Sequence, residues 1–222
     1  MSDLSAQERL ERIRRKEAEL AARESNLRKE NIEFDDSKPP NFPPFCPFVY
    51  HDISEINSLA MPTVKLAFIL QILFATAMLL NAFACIGVTS MNSTSPGSVQ
   101  YSSGSYIVFG IIYLLFGVPV AFKIVYMKFY EQCKVGDVSM GWMGLQIIFV
   151  AVNIYAAAGS VNSGFVGLIT MLDLIYKSES GLAKLFAIAS AILFVLSALG
   201  QFYLLTKAME LYKNQGQKTN TA

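Results

Sequence analysis

LAFILQILFATAMLLNAFACIGV, residues Leu66 to Val88, carries no charge, and only Gln71 and Asn81 among its side chains are strongly polar. A helix needs about 20 mostly apolar residues to cross a bilayer, because hydrocarbon offers the backbone no hydrogen bonds and the helix must satisfy its own amides. This stretch meets that length, and three others follow it. Tyr106 to Phe122 is at the short limit, Met140 to Ala158 is next, and Leu182 to Thr206 is long enough to tilt or to let Lys184 snorkel. Phe165 to Tyr176 is apolar but short and contains Asp173, which predicts an interfacial or re-entrant segment instead of a span. Pro119 is expected to kink or end the second helix.

The whole chain fits that reading. It has 222 residues, 53% hydrophobic and 16% charged, too apolar for a soluble domain of this length. The sequence therefore predicts an all-α integral membrane protein with four transmembrane helices. No apolar run precedes residue 62, so the first span is expected to serve as the insertion signal and the N-terminus to remain unprocessed.

The charges sum to only +1, but they are unevenly placed. Nine of the eighteen Lys and Arg precede residue 62, and Thr89 to Ser105 carries no charge. Lys123, Lys128 and Lys134 follow the second span, and Lys207, Lys213 and Lys218 follow the fourth. Basic residues beside spans resist translocation, so both termini and the middle connection are expected in the cytosol. Cys46 and Cys133 would then be reduced thiols, with Cys85 inside the first span. The sequon Asn92-Ser93-Thr94 lies too close to the first helix end to be expected to carry glycan.

The organisation expected is a cytosolic charged helix over 1–36, a Pro/Phe-rich juxtamembrane segment over 37–62, a four-helix core over 63–206 and a cytosolic tail over 207–222. In the first part, Ile13, Leu20, Leu27 and Phe34 recur every seven residues, but the companion heptad positions are mixed. A solvated helix, a weak self-associating coil and a helix docked on a partner or a membrane surface all fit that narrow stripe. The prolines at 39, 40, 43, 44 and 47 end the helix, and Asn41, Phe42, Pro43 and Pro44 suit a partner groove, the headgroup zone or a stiff spacer.

Within the spans, Gln146 and Asn153 share a helix face, and Ala183, Ala187 and Ala191 form a small-residue stripe; both patterns predict helix packing. Lys123, Tyr126, Lys128, Phe129, Tyr130 and Lys134 are crowded after the second span and are expected to contact the membrane, with the lysines favouring anionic lipid. The positive-inside signal alone would also account for those lysines. Chemistry is sparse. His51 is the sole histidine, no phosphate-binding Gly-rich loop is present, and the span cores contain no Asp or Glu. No enzyme activity, cofactor, metal or nucleic acid is expected.

Four blocks resemble the secretory carrier-associated membrane proteins. They are Arg15-Lys16-Glu17-Ala18-Glu19-Leu20 with Arg23-Glu24; Asn41-Phe42-Pro43-Pro44 with Cys46-Pro47; Leu80-Asn81-Ala82-Phe83-Ala84-Cys85; and Ala157-Ala158-Gly159 with Asn162, Gly164 and Gly167. The chain resembles a short member, because it lacks the Asn-Pro-Phe tripeptide by which longer members engage endocytic adaptors. It also has Ile124-Val125-Tyr126-Met127-Lys128-Phe129-Tyr130 where the family usually has Cys-Trp-Tyr-Arg-Pro. The resemblance implies a non-enzymatic protein of Golgi, endosomal or secretory-vesicle and plasma membranes, acting in trafficking and exocytosis through cytosolic proteins and lipid. A small oligomeric channel lined by the amide face of the third helix is one alternative, and a four-span vesicle protein of the physin type is another.

Overall fold

The computed structural model describes residues 11–20, 38–44, 47, 49–91 and 101–220. Leu27, Phe34, Cys46 and the Asn92 sequon lie outside these residues. The chain divides into two compact units, Met1–Asp52 and Ile53–Ala222.

In the first unit residues 11–20 are helical, with Ile13 and Leu20 exposed. Among the described residues of 38–52, two pairings bring distant positions together. Phe42 pairs antiparallel with Val49, and each accepts the other's amide at 3.0–3.1 Å. The Asn41 side chain closes the loop, donating to the His51 carbonyl at 3.0 Å and accepting the His51 amide at 2.7 Å. Asn41 and Phe42 are thereby tied to Val49 and His51.

In the second unit α1 covers Met61–Gly87, with Pro62 in its first turn, where a missing amide costs nothing. Helix α2 covers Gly104–Val135, α3 Met140–Ala158, α4 Leu168–Lys177 and α5 Gly181–Asn220. Four of these, α1, α2, α3 and the Gly181–Gln215 part of α5, are long and apolar enough to cross a membrane. The protein is an all-α, four-span helical bundle. Among the described residues, β pairing is confined to isolated bridges, Phe42 with Val49 and Met91 with Ser178.

The second helix departs most from expectation. It does not stop near Pro119 or Phe122 but continues to Val135, through π-helical turns at Tyr113–Gly117 and Phe122–Met127. Proline deprives the carbonyl four residues back, here Leu115, of its amide, and a wider turn is how a membrane helix accommodates the loss without breaking. Thus the expected loop of Lys123 to Ser139 is mostly helix. Gly136, in the left-handed conformation at φ +80°, ends α2, and Ser139 Oγ caps α3 by accepting the Trp142 amide at 3.2 Å.

Small residues hold α1 against α5. A methyl on Gly87 would lie 2.7 Å from Ala183 Cβ, and one on Gly200 would lie 2.3 Å from Leu70 Cδ2. These pairs, with Phe83 stacked on Phe186 at 5.2 Å between them, fix an antiparallel register. Helix α3 packs antiparallel on α5 as well, so α5 is the central element.

Candidate functional site: a buried loop and a basic end

The sequence sets Asn81 six residues before the end of α1, roughly 9 Å inside the bundle. Its side chain is fully buried. Asn81 Nδ2 donates to the Gly164 carbonyl at 2.9 Å and Oδ1 accepts the Val166 amide at 2.7 Å. Cys85, one turn on, donates from Sγ to the same Gly164 carbonyl at 3.3 Å. The segment between α3 and α4 thus dips between the spans as non-helical backbone, with Ser163 to Gly167 buried throughout. At that depth such backbone persists only where protein satisfies it.

Aromatic groups complete the cradle. Tyr113 donates to the Ser163 carbonyl at 3.1 Å and stacks on Phe165 at 4.5 Å, and Phe165 meets Phe194 of α5 edge-on. The Tyr106 hydroxyl lies 3.2 Å from the Ser160 carbonyl, 3.1 Å from the Asn162 amide and 3.0 Å from Thr170 Oγ1. Thr170 in turn donates to the Gly159 carbonyl at 2.7 Å. Glycines make the path. Gly164 has φ +79° and its missing methyl would fall 2.3 Å from Phe109 Cβ; a methyl on Gly159, at φ +65°, would fall 2.2 Å from the Gly167 nitrogen. Only a residue without Cβ fits either place.

The apolar stretch Phe165 to Tyr176 is accordingly two things, a re-entrant loop up to Gly167 and then the short helix α4. Leu174 of α4 packs 3.6 Å from where a Gly87 methyl would be. Asp173 accepts from the Tyr101 hydroxyl and from Lys177 Nζ at 3.2 Å, and Lys177 also lies over the Tyr101 ring at 5.4 Å. The Tyr101 hydroxyl and then Lys177 hold the Asp173 carboxyl below its usual range. Burial, and after it Asp173, raise the Tyr101 phenol.

The other end of the bundle is basic. Lys123 and Lys128 are exposed on α2, as is Lys65 on α1. Lys134 is paired with Glu55 at 2.8 Å, which ties the segment before α1 to the end of α2. The three rings expected at the headgroups are instead buried: Tyr126, Phe129 and Tyr130 turn inward. The reason is that this stretch is helical, so its aromatics and lysines occupy different faces. Phe129 stacks on Trp142 at 4.3 Å, Tyr126 lies against Phe68 at 5.5 Å, and the Trp142 indole donates to the Val125 carbonyl in the second π turn at 2.9 Å.

The structure places Gln146 and Asn153, read from the sequence as packing residues, in the bundle interior. Gln146 Nε2 donates to Gln201 Oε1 at 2.8 Å, and Asn153 Oδ1 accepts from Ser197 Oγ at 2.7 Å. Ala183, Ala187 and Ala191 are buried. These amides face α5, and Gln146 Oε1 is buried there without a hydrogen-bond partner. Sequence reasoning missed Ser197 and Gln201, although their four-residue spacing inside a span was a readable signal. It also missed the Tyr101–Asp173 contact, which no spacing announces. Ile13, Leu20, Asn41, Phe42, Pro43 and Pro44 lie in the first unit, Asn41 engaged with His51 and the Phe42 ring 5.6 Å from that of His51.

Leu80 to Cys85 and Ala157 to Gly167, blocks that are distant in sequence, therefore converge on one buried loop. The sequence model of the SCAMP family matches residues 39–215. The chain belongs to the SCAMP family. Secretory carrier-associated membrane protein 4 of Arabidopsis thaliana is 27% identical over 202 residues, which cover 88% of this chain and 71% of that protein. No solved structure matches. SCAMP membership makes this a non-catalytic membrane protein of the trafficking type. The matched region takes in the Asn41 loop, all four spans and the buried loop, and begins after the helix at 11–20.

Proposed function

We propose that the protein works in post-Golgi or endosomal trafficking and exocytosis, as a membrane-fixed scaffold with both termini in the cytosol. The observation that carries this is the polarity of a SCAMP-family bundle. One end presents exposed Lys65, Lys123 and Lys128, and the other is closed by the buried loop. Basic side chains at one end orient such a bundle with that end toward the cytosol.

On this reading Lys123 and Lys128 contribute on the order of 1 kcal/mol each toward an anionic leaflet. Lys134 contributes to structure through Glu55. Cytosolic trafficking proteins would meet the Asn41–Pro44 loop and the stripe of Ile13, Leu20 and Leu27, which also suits self-association. Because the N-terminal segment precedes the core as a separate unit, deleting residues 1–36 should leave the bundle folded but reduce retention in carriers.

The test is a full-length protein tagged at both ends and followed in cells and in sealed vesicles. Residence on post-Golgi or endosomal carriers, with both tags open to cytosolic protease, is expected. Steady residence elsewhere, or protection of either tag, would overturn the proposal.

A further inference from the structure

Helix α4 has a second face that the bundle does not use. Thr170 and Leu174 point inward and are fully buried. Ile169, Leu172 and Tyr176, spaced by three and four residues, share the opposite face; Leu172 is 51% and Tyr176 83% exposed. At ten residues the helix spans only about 15 Å, far too short to cross a bilayer.

Its depth can be read from its contacts. Leu174 rests where the last residue of α1, Gly87, meets Ala183 in the first turn of α5. These are the ends of two spans, so α4 lies at the level of the membrane boundary. In the first turns of α5, Leu182 and Leu185 are exposed as well, with the half-buried Lys184 between them in sequence. Both ionisable groups of α4, Asp173 and Lys177, are matched to each other and to Tyr101, so its outward face carries apolar side chains and no free cation.

We propose that α4 lies in the leaflet at the loop end of the bundle, with Ile169, Leu172 and Tyr176 in contact with lipid. Tyr101 covers the one charged pair that would otherwise hold the helix off. Apolar burial holds it there, not attraction to anionic headgroups, in contrast to the lysines of the basic end. The inference is independent of which leaflet faces the cytosol.

The experiment uses the full chain with Cys46→Ser, since Cys85 and Cys133 are buried. Single Leu172→Cys, Tyr176→Cys and, as a reference, exposed Glu179→Cys variants carry an environment-sensitive fluorophore. They are reconstituted in phosphatidylcholine vesicles with or without phosphatidylserine. Labels at 172 and 176 should be quenched severalfold more by nitroxide on lipid chains than the label at 179. Aqueous iodide should reverse that order, and neither salt nor phosphatidylserine should change it. Stronger quenching by iodide at 172 than at 179 would mean a face in water. Protection from both quenchers would mean a protein, such as a second copy, on that face. Dependence on phosphatidylserine would mean electrostatic attachment. Any of these would overturn the proposal.

Discussion

Asn81 donates to the carbonyl of Gly164 at 2.9 Å across 83 residues of sequence, inside a bundle of membrane-spanning helices. With the returning bond from the Val166 amide, that side chain satisfies two backbone groups that have no water to turn to.

Asn81→Leu keeps the size, strands the Val166 amide and leaves the Gly164 carbonyl with Cys85 Sγ alone. An unsatisfied buried polar group costs about 1–3 kcal/mol, and a loss in that range is expected from the stranded amide. Thermal unfolding in detergent should show it, with Leu80→Ala in the same helix as a comparison of ordinary size. A transition unchanged by Asn81→Leu would mean that the bonds from Cys85, Tyr106 and Tyr113 and the ring stacking hold the loop without Asn81.

Gly164→Ala should damage the loop in a second way, through a methyl placed 2.3 Å from Phe109 Cβ at φ +79°. Gly104→Ala meets nothing within 4 Å and serves as the control. The expected outcome is a markedly lower yield of folded, monodisperse protein for Gly164→Ala and none of that loss for Gly104→Ala.

Much of this was legible beforehand. The four spans follow from run length, because the bilayer imposes one requirement on every segment and leaves few alternatives. The continuation of α2 past Phe122 to Val135 was not legible. Proline ends helices in water, but in hydrocarbon an open backbone costs more than a widened turn. The same difference misplaced Tyr126, Phe129 and Tyr130. Read as a loop they would anchor at headgroups; as a helix they face the core, and only the lysines stay outside. Gln146 and Asn153 were legible as packing residues because amides in a span need partners, yet their partners Gln201 and Ser197 lie 55 and 44 residues away.

The Gln146–Gln201 contact gives a double-mutant prediction. Either glutamine changed alone to leucine strands a buried amide, at about 1–2 kcal/mol. Changing both should recover most of that loss, as detergent unfolding midpoints would reveal. Additive losses would mean that each amide acts through some other group. Because Gln146 and Asn153 face α5, wild-type protein in liposomes should conduct no ions, and planar-bilayer recording checks that directly.

Asp173 sets a pH prediction. Its folded-state carboxyl titrates below the usual value, chiefly because the Tyr101 hydroxyl donates to the charged form and then because Lys177 is adjacent. A depressed acid stabilises fully above its unfolded value of about 4 and loses that contribution as pH falls through the lower folded value. The contact of Tyr101 with α4 should therefore survive mildly acidic compartments and fail only in stronger acid. A fluorophore at Leu172→Cys should report the same environment at pH 5 as at pH 7. With Tyr101→Phe the acid transition should move upward, toward the ordinary carboxylate range.

The register between α1 and α5 limits how this chain can change in length. Seventeen residues separate Leu70 from Gly87, and seventeen separate Ala183 from Gly200, so the two close approaches are locked to one another along both helices. One residue inserted between them in either helix would rotate one contact by about 100° relative to the other and drive side chains into the places where small residues now meet. Helix α2 also approaches α1 closely, a methyl on Gly110 falling 3.0 Å from Cys85 Sγ, but beyond that contact it already carries wider turns at two places. Viable insertions and deletions should accordingly gather in α2 and in the connections, and α1 and α5 should keep their lengths together or lose the bundle.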